Sequence, residues 1–327
     1  MNVDRGAEGV SDVVLVGSGW AHHAADGLRG DPHARISALV ARGSARSHAL
    51  ASRLGVPLFC SVDELPTPVA SRAAVVAVDE RTNPSIVRSL LERDYDVLCA
   101  HPVAPTADGV RDLFHLAERR RCIVGTDYTL VLARPALIAR AAIVDVGPLI
   151  RVVIEHPGRL LPMALHLALC FAGPITRVCA SRVLPDSLRE PARRTPGAFP
   201  PSLMLEHASG VVSSLVGVPH AATSSAFRCT LSGVRARVDV ALPSGGVSIV
   251  RADPRRGARE ESLLDGTEAP EPFGALMQTM VRDFLAAAQS RSAPPCSLLD
   301  EVQVRAVWNA IPTSLRHRAW ALVEASA

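Results

Sequence analysis

The stretch Asp12–Asp26, DVVLVGSGWAHHAAD, limits what this chain can fold into more than any other. Val13–Val16 is a run of four apolar residues that stops at Gly17-Ser18-Gly19, and helix-compatible residues begin at Trp20. A short apolar run closed by a glycine turn suits a strand buried on both faces. Gly17 permits the tight turn, and Gly19 lets the backbone approach a pyrophosphate. The free N–H groups and the positive end of the next helix would then hold the phosphate charge. His22 stands where such turns commonly carry a third small residue. The stretch reads as the opening turn of a dinucleotide-binding fold, with Gly17, Ser18, Gly19 and Trp20 against the cofactor.

The same strand-then-helix pattern recurs along the next hundred residues. Ile36–Ala41, Val56–Cys60, Ala73–Val78, Asp96–Ala100 and Cys122–Thr126 are five further apolar runs, separated by helical segments. Ser44 is placed to cap a helix that runs to Leu54 and stops at Gly55; Pro84 suits a first helical turn; Thr106 can cap a helix through Arg121. Strand–helix alternation of this kind predicts an α/β doubly wound parallel sheet over residues 1–127.

Past Tyr128 the pattern changes. Helices are predicted at Pro135–Ile143 and Leu161–Phe171, and strands at Leu149–Glu155, Arg177–Val183, Ser202–His207, Val211–Val218, Ala226–Leu231, Ala236–Leu242 and Val247–Arg251. Several alternate apolar and polar residues, as a largely antiparallel sheet with one buried face does. Residues 128–327 are therefore expected to form a second α/β domain. Pro185–Pro201 reads as a surface loop and Asp253–Glu271 as a charged, exposed segment. Two helices, Phe273–Gln289 and Leu298–Ala325 with an interruption at Pro312, close the chain and are available to pack back on the first domain.

Composition removes several function classes. At 327 residues and 48% hydrophobic, the chain can bury a sizeable core in two domains. A net charge of +3 with no basic patch among aromatics argues against nucleic acid as a partner. All 35 basic side chains counted as Lys or Arg are arginines, which excludes Schiff-base and lysine acid–base chemistry. No apolar run is long enough to span a bilayer, and MNVDRGAEGVSD lacks the basic-then-apolar pattern of a signal peptide. The seven cysteines form no CxxC pair or Cys/His cluster at metal spacing, so a reducing cytoplasm and no metal are expected.

NAD-binding folds usually end the second strand in a carboxylate that bonds the ribose 2′-hydroxyl. Here Arg42-Gly43-Ser44-Ala45-Arg46 occupies that place. Two guanidiniums and a helix-capping hydroxyl would attract a 2′-phosphate, so Arg42, Gly43, Ser44 and Arg46 point to NADPH/NADP+.

With this order of strands and helices, the first 130 residues resemble the Gfo/Idh/MocA oxidoreductases. That family typically carries Glu-Lys-Pro at the end of the fifth strand, where this chain has Ala100-His101-Pro102. ARGSARS after the second strand, His101-Pro102 after the fifth and Tyr128 of GTDYTL after the sixth resemble one branch of the family, the thiazolinyl imine (imide) reductases of siderophore assembly, over about Val13–Leu130. This resemblance implies NADPH-dependent reduction of a thiazoline C=N to a thiazolidine, on an intermediate tethered to a carrier protein of a nonribosomal peptide synthetase, by a homodimer in which residues 128–327 bind substrate and dimerise.

Hydride attack on an imine carbon leaves charge on nitrogen that needs a proton. With the resemblance, Tyr128, whose phenol can donate, is expected to be the acid ahead of His101, which offers an imidazolium or a relaying imidazole. Both stand just past the C-terminal ends of predicted parallel strands, the edge at which open α/β sheets bind ligands. On the residues alone, a tight turn, including a cis one, equally explains His101-Pro102, and a Tyr after a strand, as Tyr128 is, more often serves packing. Asn83, after the fourth strand, and Pro102 are placed to line the cofactor, and His166 on the apolar helix LPMALHLALCFAG is a candidate substrate contact. Another family oxidoreductase acting on a sugar or small molecule, or a catalytically silent NADPH sensor, are the competing readings.

Overall fold

The computed structural model describes residues 10–18, 21–29, 31–66, 72–182, 201–218, 227–243, 245–253, 257–266 and 273–324. Gly19 and Trp20 lie outside the described residues, as do Ala226 and the loop expected at Pro185–Pro201 apart from Pro201. The chain divides into two units: Met1–Thr129 with Pro272–Val302, and Leu130–Glu271 with Gln303–Ser326.

The first unit is built on six strands, β1 (Ser11–Val16), β2 (Ala34–Val40), β3 (Leu58–Phe59), β4 (Arg72–Val76), β5 (Asp96–Cys99) and β6 (Val124–Thr126). Their order is β3-β2-β1-β4-β5-β6, and every pairing is parallel. Val13, Leu15, Val75, Val97 and Leu98 are fully buried, as runs apolar on both faces require. Helices α1 (Ala21–Leu28), α2 (Ala45–Leu54), α3 (Asn83–Glu92) and α4 (Ala107–Arg120) connect them. The boundaries reflect local chemistry. Ser44 and Ser47 cap α2 reciprocally, Gly55 ends it in the left-handed region, and the Thr106 hydroxyl accepts from Gly109 N–H to start α4.

The second unit contains α5 (Arg134–Val146), α6 (Leu161–Ala172) and a nine-stranded sheet. Its strands are β7 (Leu149–Pro157), β8 (Ile175–Ser181), β9 (Ser202–His207), β10 (Val212–Val218), β11 (Phe227–Gly233), β12 (Ala236–Leu242), β13 (Val247–Asp253), β14 (Gly257–Leu264) and β15 (Ala321–Leu322). The order is β14-β13-β12-β11-β7-β10-β9-β8-β15, antiparallel except between β7 and β10. In β12 the side chains of Ala236, Val238, Val240 and Leu242 point inward and the residues between them outward, the period of a sheet covered on one face.

Two stretches differ from the sequence expectation. The charged segment after Asp253 contains β14, an edge strand exposed along most of its length. It has no apolar alternation because neither face is covered; backbone pairing with β13 and the Arg251–Glu261 ion pair at 2.7 Å hold it. At the C-terminus, α7 (Phe273–Ser290) agrees with expectation, but α8 (Leu298–His317) runs unbroken through Pro312 and stops early. Proline removes one intrahelical hydrogen bond, and the remaining turns carry the helix on. Arg318, at φ 51°, reverses the chain, and Ala321–Leu322 then pair with β8 as β15.

Candidate active site

At the end of β1, Gly17 has φ 94° and its N–H donates to Val40 O at 2.8 Å. A Cβ at this position would lie 2.3 Å from Ala77 O, so the backbones leaving β1 and β4 approach too closely for any other residue. This is the point at which strand order reverses, where doubly wound sheets open a crevice for ligands. Ser18, His22, Arg46, Ala49, Leu50 and Arg53 line a cavity of about 340 Å³ beside it, with no acidic side chain among them. Arg42 and Ser44 stand at the surface, and Gly43 takes φ 68° between them. The Ser44 hydroxyl accepts from Ser47 N–H and lies 2.7 Å from the Ser47 hydroxyl, so it caps α2 first. His22 and His23 rings lie 3.9 Å apart; burial, then His22, lowers the pKa of His23. The chemistry of this rim, cationic and hydroxylic around a close backbone approach, fits the phosphates of a dinucleotide.

The other end of the same edge is a buried network. Cys99 pairs with Thr126 in register, so the residues just past β5 and β6 emerge side by side. The His101–Pro102 peptide is cis. Asp127 Oδ1 accepts from the backbone N–H of His101 at 2.7 Å and lies 2.5 Å from its Nδ1. The His101 ring stacks on Tyr128 with centroids 4.5 Å apart and planes 20° apart. His101 keeps 14% of its side chain exposed, whereas Tyr128 is 1% exposed. The Tyr128 hydroxyl donates to Glu301 Oε2, and Glu301 Oε1 accepts from Val103 N–H at 3.1 Å. From α3, Asn83 Nδ2 donates to Ala100 O at 2.8 Å and Pro102 O at 3.2 Å, while its buried Oδ1 has no partner. Burial pushes the Cys99 thiol well up, with Asp127 and Glu301 adding to it.

His101 and Tyr128 are thus brought together, with Pro102 in the turn between them and Asn83 strapping that turn from behind. Asp127 and Glu301 complete the arrangement, and sequence reasoning missed both. Asp127 had a local signal, one residue before Tyr128 and just past a parallel strand. Glu301 had none, since 173 residues separate it from Tyr128. His166 belongs to the second unit; it is 2% exposed on α6 with Cys170 Sγ 3.7 Å from its ring nitrogens. Among the described residues no group of three His, Cys, Asp or Glu side chains could hold a metal ion, and no helix is long and apolar enough to cross a membrane.

Residues 11–128 match the model of the GFO_IDH_MocA oxidoreductase family, NAD-binding Rossmann fold. Over that region the chain is similar to the Rossmann domain of that family. Similar solved structures include an oxidoreductase domain protein from Kribbella flavida (16% identical, TM-score 0.82) and an NAD binding oxidoreductase from Klebsiella pneumoniae (15%, 0.81). Levoglucosan dehydrogenase in complex with NADH (14%, 0.80) is a third. Each covers 96% of this chain and 99% of its own. At such identity they establish a shared fold, a parallel Rossmann sheet and a mostly antiparallel second sheet. No curated protein sequence matched.

Proposed function

We propose that this Gfo/Idh/MocA-type protein is an NADPH-dependent reductase of a cyclic imine, a thiazoline carried on a peptide-synthetase carrier domain, with His101 as the proton donor. The observation that carries the reading is the His101–Asp127 pair stacked on Tyr128 at the C-terminal edge of β5 and β6, in a chain without lysine. The reduced nicotinamide, when bound, supplies the hydride to the imine carbon. The protein's own part is to provide H⁺ to the ring nitrogen. Asp127 takes the Nδ1 side of His101, which fixes the tautomer and supports the imidazolium, leaving Nε2 as the end that can give a proton away. Arg42, Arg46 and the Ser18 turn would receive the 2′-phosphate and pyrophosphate.

Oxidation of a sugar or polyol is the second reading, prompted by the likeness in fold to levoglucosan dehydrogenase and to a putative myo-inositol dehydrogenase from Sinorhizobium meliloti 1021. A His–Asp pair can also take a proton from an alcohol, so the two differ in substrate and in direction. Following NADPH absorbance with a carrier-tethered thiazoline, and NADP+ or NAD+ reduction with a sugar and polyol panel, separates them. NADPH consumption with the thiazoline alone supports the first reading; turnover of a polyol without it replaces that reading with the second.

A further inference from the structure

We propose that Glu301 is a positioning residue of this site, holding the Tyr128 phenol and withholding its proton so that His101 alone acts as the acid. The inference rests on reading His101 and Tyr128 as the proton-handling pair. Glu301 is fully buried in the first turn of α8, and two features deliver it there. Cys296 and Ser297 lie along the edge of β6, with Thr126 N–H donating to Cys296 O at 3.0 Å and Gly125 bridging Ser297. Ser297 and Asp300 then start the helix reciprocally: Asp300 Oδ2 accepts from Ser297 N–H at 2.7 Å, and the Ser297 hydroxyl accepts from Asp300 N–H. One carboxyl consequently grips both the Tyr128 hydroxyl and the Val103 N–H of the His101 turn.

The charge logic separates the two candidate acids. Loss of the phenol proton to a substrate would leave tyrosinate against a buried carboxylate, two anions in a dry site. Loss of the Nε2 proton from a His101 imidazolium leaves a neutral ring still bonded to Asp127. Tyr128 meets Glu301 from α8 and His101 from the turn after β5, Asp127 precedes it in the chain, and the Cys296 thiol donates to its backbone carbonyl at 3.6 Å. Cys99, on β5, senses both carboxylates.

The chain has two tyrosines, so Tyr95→Phe isolates the absorbance of Tyr128. In Glu301→Gln the amide can accept from Val103 and donate to the phenol oxygen. Tyrosinate then forms about one pH unit or more lower than with Glu301 present. Turnover of NADPH in Glu301→Gln also persists further to the alkaline side than in wild type, as Tyr128 becomes able to donate. Should Glu301→Gln unfold, the Tyr95→Phe protein alone decides, since its tyrosinate must form at higher pH than free tyrosine. Identical titrations with and without Glu301, or tyrosinate forming below the pH of free tyrosine, would overturn the proposal. The titration needs no substrate, so it is independent of whether the reduced ring is a thiazoline.

Discussion

At the β1–β2 end of the parallel sheet, Arg42 and Ser44 stand at the surface, and Ser18, His22 and Arg46 line a cavity; at the β5–β6 end, His101, Asp127, Tyr128 and Glu301 are packed together by hydrogen bonds and ring stacking. The first arrangement suits recognition of a charged group that arrives with its own hydration and can be exchanged. The second suits chemistry, because a proton is given and taken reproducibly only by groups whose orientation is fixed and whose surroundings are dry. Exposed contacts should therefore govern which cofactor binds, and buried ones what happens once it has.

Substitutions at the two ends should fail in different ways, and the largest effect belongs to the buried end. His101→Asn is expected to lower kcat by about 10²–10⁴-fold while NADPH still binds, as stopped-flow turnover and fluorescence titration would show. A comparable loss of NADPH affinity would merge the two regions into one. Gly17→Ala should do the reverse of a clean chemical defect. Its Cβ meets the Ala77 carbonyl oxygen at 2.3 Å, so nucleotide affinity falls more than about tenfold and the thermal midpoint drops together with it. Replacing either Arg42 or Arg46 by alanine should cut the NADPH-over-NADH preference by about 10–100-fold, since a charge-assisted hydrogen bond contributes about 1.5–3 kcal/mol. The kcat–pH profile should keep its shape; a changed profile would mean that the arginines reach into the chemistry.

The smallest expected effect is on acid stability and comes from neither end. In the second unit, His156 bonds Pro157 O at 3.0 Å and His207 lies between Gly173 O and Ser213, both at 2.7 Å; burial lowers both pKa values. The unfolded chain takes up protons near the ordinary imidazole value of about 6.5, and the native state resists. Stability should thus be flat above about pH 6.5 and decline as pH falls toward the native-state values. Urea midpoints at neutral and mildly acidic pH measure it, and His207→Asn should flatten the decline.

The parallel sheet was legible because burial on both faces writes itself as unbroken apolar runs, and the caps Ser44 and Thr106 mark their helices locally. His101 and Tyr128 were legible for a related reason: parallel strands in register deliver the residues after them to one edge. Strand β14 was not, because an uncovered edge strand is held by backbone bonds that leave no trace in side-chain pattern. Asp127 was overlooked although its neighbour was not, since a carboxylate after a strand has many uses. Glu301 is a tertiary fact. Nothing near position 301 says that its helix begins beside β6, and only the pairing of Cys296 and Ser297 with that strand makes it so.

The measurement that bears most directly on the central claim is single-turnover NADPH oxidation by Asp127→Asn at saturating cofactor. Loss of the carboxylate leaves the His101 ring in place and removes the partner that fixes its tautomer and stabilises its charge. The account predicts a fall of at least about 10²-fold in the chemical step with NADPH affinity retained. A chemical step as fast as in wild type would contradict it.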